Sequence, residues 1–134
     1  GWLPSTKVAF WREGMIRSYD HPVLKGIAYQ TWMDDLRFYS LTTDTALDTF
    51  EFDTIGIAAD RITPIIRRYD CREWTATDYM SEICMGSGTI LATTLRFEGG
   101  LGKQPMFLKY NTFGRWLFQS VLEYLTGGNG KAAR

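Results

Sequence analysis

Histidine and cysteine are scarce in this chain of 134 residues. There is one histidine, His21, and there are two cysteines, Cys71 and Cys84. None of them stands in a C-x-x-C or H-x-x-x-H pair, so the sequence predicts no metal site and requires no cofactor. Two isolated thiols favour a reduced, cytoplasmic protein, although their spacing alone is also compatible with a single disulfide.

Net charge and long apolar runs are also missing. Fifteen Lys and Arg balance fifteen Asp and Glu. Because affinity for nucleic acid comes mainly from clustered basic residues, this balance argues against a nucleic-acid partner. No apolar run approaches the ~18 residues that a membrane-spanning helix needs, so no membrane span is expected. The first residues lack the pattern of a signal peptide, and the leading Gly1 leaves open that a targeting segment was removed.

Aromatic residues, by contrast, are abundant. Five Trp, seven Tyr and eight Phe make up 15% of a chain whose length predicts a single domain over residues 1–134. A core of this size needs fewer aromatic side chains, and Tyr and Trp carry polar groups that can orient a ligand. The surplus favours an apolar, aromatic-lined cavity over a purely structural domain.

The local pattern predicts helices and strands in an α+β arrangement. Short helical segments are expected at 23–29 and 31–41. A long amphipathic helix is expected from a cap at Asn111 or Thr112 to about Thr126, ending at Gly127. Alternating or β-branched runs predict strands, the last two joined as a hairpin at Gly86-Ser87-Gly88. These strands cover residues 49–55, 62–69, 73–85 and 89–97.

The last third of the chain resembles a known superfamily. A strand over 89–98 leads through a glycine-containing loop to an amphipathic helix that ends Leu122-Glu123-Tyr124-Leu125. This order resembles the C-terminal part of helix-grip proteins, the START-like or Bet v 1-like superfamily that includes polyketide cyclases and lipid carriers. The resemblance implies a curved antiparallel sheet that grips the long helix, with an apolar cavity between them. An NTF2-like cone, in which N-terminal helices close a curved sheet, is the alternative.

Two sites in the first half have the residue types of acid/base chemistry. His21 follows Asp20 and can act as a general acid or base near neutral pH, or it is a loop histidine before Pro22. Asp34 and Asp35 lie between aromatic residues. They are either a pair in which one carboxyl acts as an acid, or the solvated side of a helix.

The strand over 73–85 carries the principal catalytic candidates. In a regular strand Asp78 and Glu82 point to one face with Trp74, and carboxylates on such an apolar face either have buried partners or line a cavity. The other interpretation is a mixed outer face, with ion partners across the strands from Arg61, Arg67 or Arg96. The basic run that begins at Arg67-Arg68 is either an anion site or a solvated strand end.

Two functional hypotheses follow. In the first, the domain binds a small hydrophobic molecule, or converts it by acid/base cyclisation, dehydration or isomerisation. The polar groups would be Asp78, Glu82 and His21, and the pocket would be shaped by Trp74, Tyr79, Trp116, Trp32 and Tyr124. In the second, the apolar terminal helix is a homodimer or partner interface in a non-enzymatic assembly module.

Overall fold

The computed structural model describes residues 3–8, 14–27, 31, 33–70, 75–97 and 111–127. Over these residues the fold is α+β: a curved, unclosed antiparallel sheet with a C-terminal helix and a few short helices, as expected. The strands are β1 (Ser5–Lys7), β2 (Gly14–Ser18), β3 (Thr45–Leu47), β4 (Ile62–Asp70), β5 (Thr75–Met85) and β6 (Gly88–Thr93). The helices are α1 (Met33–Phe38), α2 (Thr112–Leu125) and the 3₁₀ helices Pro22–Leu24, Tyr39–Leu41, Thr49–Ile55 and Ala59–Arg61.

The central strand of the sheet is β5. The strands lie in the order β1, β3, β5, β4, β2, and β6 also pairs with β5. The β5–β6 hairpin turns at Gly86, whose φ of 60° is left-handed backbone that glycine adopts without strain. The predicted hairpin is confirmed for the described residues, but β6 ends at Thr93 instead of continuing to residue 97.

Two register shifts between β4 and β5 decide where the side chains of β5 point. Ile65 of β4 and Tyr79 of β5 are both skipped in the ladder of paired residues. An extra residue interrupts the alternation of a strand, so side chains on the two sides of the bulge exchange faces. As a result Asp78 lies on the same face as Ser81, while Tyr79 and Met80 both enter the core beneath α2.

The face of the sheet beneath α2, the inner face, carries the larger core. Asn111 caps the start of α2, since its side-chain oxygen accepts a hydrogen bond from the Gly114 N–H at 2.9 Å. The helix stops before Gly127, whose φ is 81°. Both ends agree with the prediction. The buried side chains of this core are Ile16, Val23, Leu24, Phe38, Leu41, Ala46, Ile65, Ile66, Tyr79, Met80, Leu95, Leu117 and Tyr124.

The opposite, outer face carries a smaller core and corrects one prediction. Residues Thr49–Ile55 form a 3₁₀ helix, not the strand that their alternating pattern predicts. Phe50 and Phe52 would share one face of a strand. In the 3₁₀ helix Phe52 is fully buried, whereas Phe50 is 65% exposed. The buried side chains of this second core are Leu47, Phe52, Ile57, Ile83 and Ala92.

Strand β2 lies at one edge of the sheet and is capped by two carboxylates. Asp35 accepts a hydrogen bond from the Ile16 N–H at 2.8 Å, and Asp34 accepts one from the Ser18 N–H at 2.8 Å. The Ser18 hydroxyl donates to Asp34 as well. The acidic pair therefore satisfies backbone donors that an edge strand would otherwise expose, which protects the edge from pairing with other chains.

Candidate functional site

Glu82 of β5 lies on the inner face, at the contact between the sheet and α2. Its Oε2 accepts a hydrogen bond from the hydroxyl of Tyr124, which is itself 1% exposed. Leu91 lies opposite Glu82 in β6 and packs against the same core. The Glu82 side chain keeps 11% exposure, so the carboxyl group is almost entirely withdrawn from solvent.

His21 reaches the same carboxylate from the turn before the first 3₁₀ helix. Its Nδ1 accepts a hydrogen bond from the Val23 N–H at 3.1 Å. Since an accepting nitrogen carries no proton, the neutral ring holds its proton on Nε2. That Nε2 lies 3.4 Å from Oε2 of Glu82. The imidazole ring also meets the ring of Tyr124 edge-on, with 5.0 Å between the centroids.

Helix α2 and the histidine turn are tied together next to this contact. The hydroxyl of Ser120, one turn before Tyr124, donates to the backbone carbonyl of Val23. Three elements that are remote in sequence therefore meet at one point. We call His21, Glu82 and Tyr124 the inner triad.

Within the inner triad, the close contacts to Glu82 involve one of its two carboxylate oxygens. A buried carboxylate requires hydrogen-bond donors to offset its lost hydration. Within the described parts of the chain, the Tyr124 hydroxyl and the His21 ring both lie against Oε2 of Glu82. Oε1 is thus the oxygen that can accept a proton or a hydrogen bond from a bound molecule.

Asp78 does not belong to this site, and the prediction that it shares a face with Glu82 is wrong. The bulge at Tyr79 places Asp78 on the outer face, where its side chain is fully buried. Its Oδ1 accepts from Nε of Arg67 at 2.5 Å, and its Oδ2 accepts from Nη2 of Arg67 at 3.3 Å and from the Ser81 hydroxyl at 2.5 Å. Arg67 was one of the predicted cross-strand ion partners, and for Asp78 it is confirmed.

Of the other predicted pocket residues, the structure describes Tyr79 and Trp116, and each has its own contacts. Tyr79 is buried and its hydroxyl accepts from Nη1 of Arg68 at 3.1 Å. Burial raises the pKa of Tyr79, although the Arg68 hydrogen bond acts in the opposite direction. Trp116 is half-buried on α2 and stacks on Phe113, with centroids 5.6 Å apart. The last two predicted pocket residues, Trp74 and Trp32, lie outside the described residues.

A second polar cluster lies on the outer face. Arg67 and Tyr69 come from the basic run for which an anion site was one interpretation, whereas Arg17 and Tyr19 were not predicted. Strands β2 and β4 pair Arg17 with Arg67, and the hydroxyls of Tyr19 and Tyr69 are hydrogen-bonded to each other. We call these four residues the outer arginine–tyrosine cluster. The repeated Arg-x-Tyr pattern at 17–19 and 67–69 is the sequence signal that could have revealed it, because residues two apart share one face of a strand.

Comparisons with other proteins add no assignment. No family model matches the chain, and no curated protein or solved structure matches it. Among the described residues, no group of three or more His, Cys, Asp or Glu side chains is arranged to hold a metal ion. No helix in the described ranges is both long and apolar enough to cross a membrane.

Proposed function

We propose that the domain binds a small, uncharged hydrophobic molecule between the sheet and α2, and that the inner triad recognises its polar group. The observation that carries this proposal is the convergence of His21, Glu82 and Tyr124 inside an otherwise apolar core. A buried ionisable cluster is less stabilising than apolar side chains of the same volume. Such clusters are common where a protein performs acid/base chemistry or selects a ligand.

The approach to the triad is apolar, which fits such a ligand. Leu91 lies opposite Glu82, and Val121 lies one turn before Tyr124; both are partly buried against the inner core. A hydroxyl on the ligand would donate to Oε1 of Glu82 while its hydrocarbon body contacts these side chains. The resemblance of the last third of the chain to helix-grip proteins supports the same location for a ligand, between a curved sheet and its terminal helix.

The triad also supports acid/base conversion of the bound molecule. Glu82 would accept a proton from the ligand; its carboxylate accepts from the Tyr124 hydroxyl, and Nε2 of His21 lies 3.4 Å from the same oxygen. Return of that proton to another atom of the ligand completes a cyclisation or an isomerisation. No metal or nucleotide enters these steps.

The test uses naphthol and naphthalene as matched probes, because they differ by one hydroxyl. Wild-type protein should bind naphthol more tightly, as measured by native mass spectrometry and by Trp fluorescence. Glu82→Gln should remove about tenfold of this preference, since it replaces a charged acceptor by a neutral one. Naphthalene binding should be unchanged.

Glu51→Gln is the control, because Glu51 is exposed on the 3₁₀ helix of the opposite face. It makes the same chemical change away from the triad and should leave both probes unaffected. Absence of saturable binding of either probe to the wild type would refute a ligand site. An equal loss in both variants would refute the role of Glu82.

A second candidate function is self-association through α2, and the exposed side of this helix favours it. Phe118, Leu122 and Leu125 recur at helical spacing and are 38%, 42% and 47% exposed. Arg115 and Glu123 flank this stripe on exposed positions. In an antiparallel pair of α2 helices centred near residue 119, Arg115 of one copy would face Glu123 of the other. The proposed occupant of the stripe is therefore a second copy of the chain.

Light scattering over a range of concentrations tests this second candidate. The mass should rise from 15.4 kDa toward twice that value, and Leu122→Glu should abolish the rise. Leu36→Glu is the control, because Leu36 is 69% exposed on α1 and away from the stripe. Arg115→Glu and Glu123→Arg should each weaken the dimer and restore it when combined. A single-chain mass at every concentration would exclude the dimer.

A further inference from the structure

The outer arginine–tyrosine cluster places two cations side by side. Arg17 of β2 lies directly opposite Arg67 of β4, and neighbouring Ile16 and Ser18 point to the inner side. Like charges at directly opposed positions of a ladder are destabilising. Such a pair is tolerated more readily where at least one of the two cations has an anionic partner.

Among the described residues, Arg67 has an anionic partner and Arg17 has none. Arg67 forms a two-point ion pair with Asp78, which the Ser81 hydroxyl completes. Arg17 is half-buried, and within the described part of the chain its guanidinium donates to the sulfur of Met15 at 3.7 Å. Thioether sulfur is a weak acceptor and carries no charge. The cluster thus has one guanidinium whose charge and planar donors remain for an anion.

The two tyrosines converge over the arginine pair. In the β2–β4 ladder, Tyr69 lies two residues to one side of the arginine pair and Tyr19 two residues to the other. Their hydroxyls nevertheless form a hydrogen bond, so the two side chains lean toward each other across Arg17 and Arg67. One hydroxyl proton is used in that bond, and the second can be donated to a ligand.

The edge of the cluster is apolar. The Phe50 ring lies over the Arg67 guanidinium at 5.7 Å, and it is 65% exposed. Met15 and Tyr69 are 49% and 40% exposed on the same face. A cation with adjacent exposed aromatic surface matches a ligand that joins an anionic group to an apolar body.

We propose that the outer arginine–tyrosine cluster binds a small monocarboxylate with an apolar body. Arg17 is the carboxylate anchor, the paired tyrosine hydroxyls supply a further donor, and Phe50 contacts the apolar part. A carboxylate matches the planar fork of a guanidinium. A single negative charge matches Arg17, the cation of the cluster that has no ion partner among the described residues. A dianionic phosphate would place excess negative charge next to Asp78, so a carboxylate is favoured over it.

Backbone amide NMR with phenylacetate tests the proposal. Phenylacetate should cause saturable shifts in β2 and β4, and Arg17→Gln should weaken its binding by about tenfold or more, as expected for a charge-assisted hydrogen bond. Arg61→Gln is the matched control, because Arg61 is exposed at the end of the 3₁₀ helix that precedes β4, and this variant should bind like the wild type. Phenylacetamide, which has the same shape without the charge, should bind at least tenfold more weakly.

Further variants distinguish binding at the outer arginine–tyrosine cluster from binding at the inner triad. Glu82→Gln, which alters the inner triad, should leave phenylacetate binding unchanged. Tyr19→Phe should weaken it a few-fold while the thermal unfolding temperature shows that the fold persists. Equal losses for Arg17→Gln and Arg61→Gln, shifts confined to α2, or tighter binding of inorganic phosphate than of phenylacetate would each overturn the proposal.

Discussion

The hydroxyl of Tyr124 on α2 donates to Oε2 of Glu82 on β5, across 42 positions of sequence. Both side chains are buried, and His21 approaches the same oxygen from a third element. The terminal helix is therefore held on the sheet by a directional polar contact as well as by apolar packing. Polar contacts of this kind fix one arrangement of elements, since a shifted helix would leave a buried carboxylate without its donor.

Removing the Tyr124 hydroxyl is expected to destabilise the fold. Tyr124→Phe keeps the ring and its contact with His21 but deletes a donor to a buried carboxylate, at a cost of about 1–3 kcal/mol in the free energy of unfolding. Urea denaturation measures this loss. In a double-mutant cycle with Glu82→Gln the two changes should be coupled by about 1 kcal/mol. The cycle that pairs Glu82→Gln with Tyr69→Phe on the other face should be additive, and coupling there would contradict the prediction.

Asp78 is expected to be structural, not catalytic. Asp78→Asn leaves the partly buried Arg67 guanidinium without its counter-charge, and we expect a loss of about 3–5 kcal/mol in stability. Because Asp78 lies on the outer face, the folded fraction should bind naphthol like the wild type. Asp44→Asn is the control, since the Lys7–Asp44 pair lies at the surface and its loss should not be measurable. A stable Asp78→Asn variant with altered naphthol binding would reverse this assignment.

Features set by local sequence were predictable. The cap at Asn111 and the stop at Gly127 follow from side-chain and backbone preferences within a few residues, and both hold in the structure. The β5–β6 turn at Gly86 is of the same kind. The alternating pattern at 49–55 wrongly predicted a strand, because the exposed Phe50 contributes to the pattern as strongly as the buried Phe52. A pattern of residue types does not reveal which aromatic side chain is buried in the folded protein.

The candidate site was predictable in its members but not in its grouping. His21, Glu82 and Tyr124 were each expected from their chemistry, yet no local rule brings residues 21, 82 and 124 together. Asp78 was grouped with Glu82 because a regular strand puts residues four apart on one face. The bulge at Tyr79 depends on the register with β4, where Ile65 is skipped as well. Register is a property of two strands, so one strand's sequence does not disclose it.

The outer face has its own pH dependence. Burial and the hydrogen bond with Tyr69 raise the pKa of Tyr19 to about 12, above the value near 10 of an exposed phenol. The folded state therefore holds this proton more tightly than the unfolded state. The resulting stability is fully present below pH ~10 and is lost as the pH rises through ~12.

Absorbance of tyrosinate against pH measures this shift. Comparison of wild type with Tyr19→Phe isolates the Tyr19 transition, which should appear near pH 12. In Tyr69→Phe the transition should move down, toward but not below the value of an exposed phenol, because burial remains while the hydrogen bond is gone. A Tyr19 transition that is identical with and without the Tyr69 hydroxyl would show that burial alone causes the shift.

The final prediction concerns the stability effect of a substitution at Gly114, in the first turn of α2. Helix propensity alone predicts that Gly114→Ala gains about 1 kcal/mol. A Cβ at this position would, however, lie 3.1 Å from Cδ2 of Leu41 and from the Asn111 side chain that caps the helix. Displacing either group disturbs the inner core or the cap, so we expect a net loss of about 1–2 kcal/mol. Gly88→Ala meets only ordinary contact at 3.8 Å and serves as the tolerated glycine control. Urea denaturation of both variants shows whether each substitution raises or lowers the free energy of unfolding. A stabilised Gly114→Ala variant would mean that α2 does not pack this closely against Leu41.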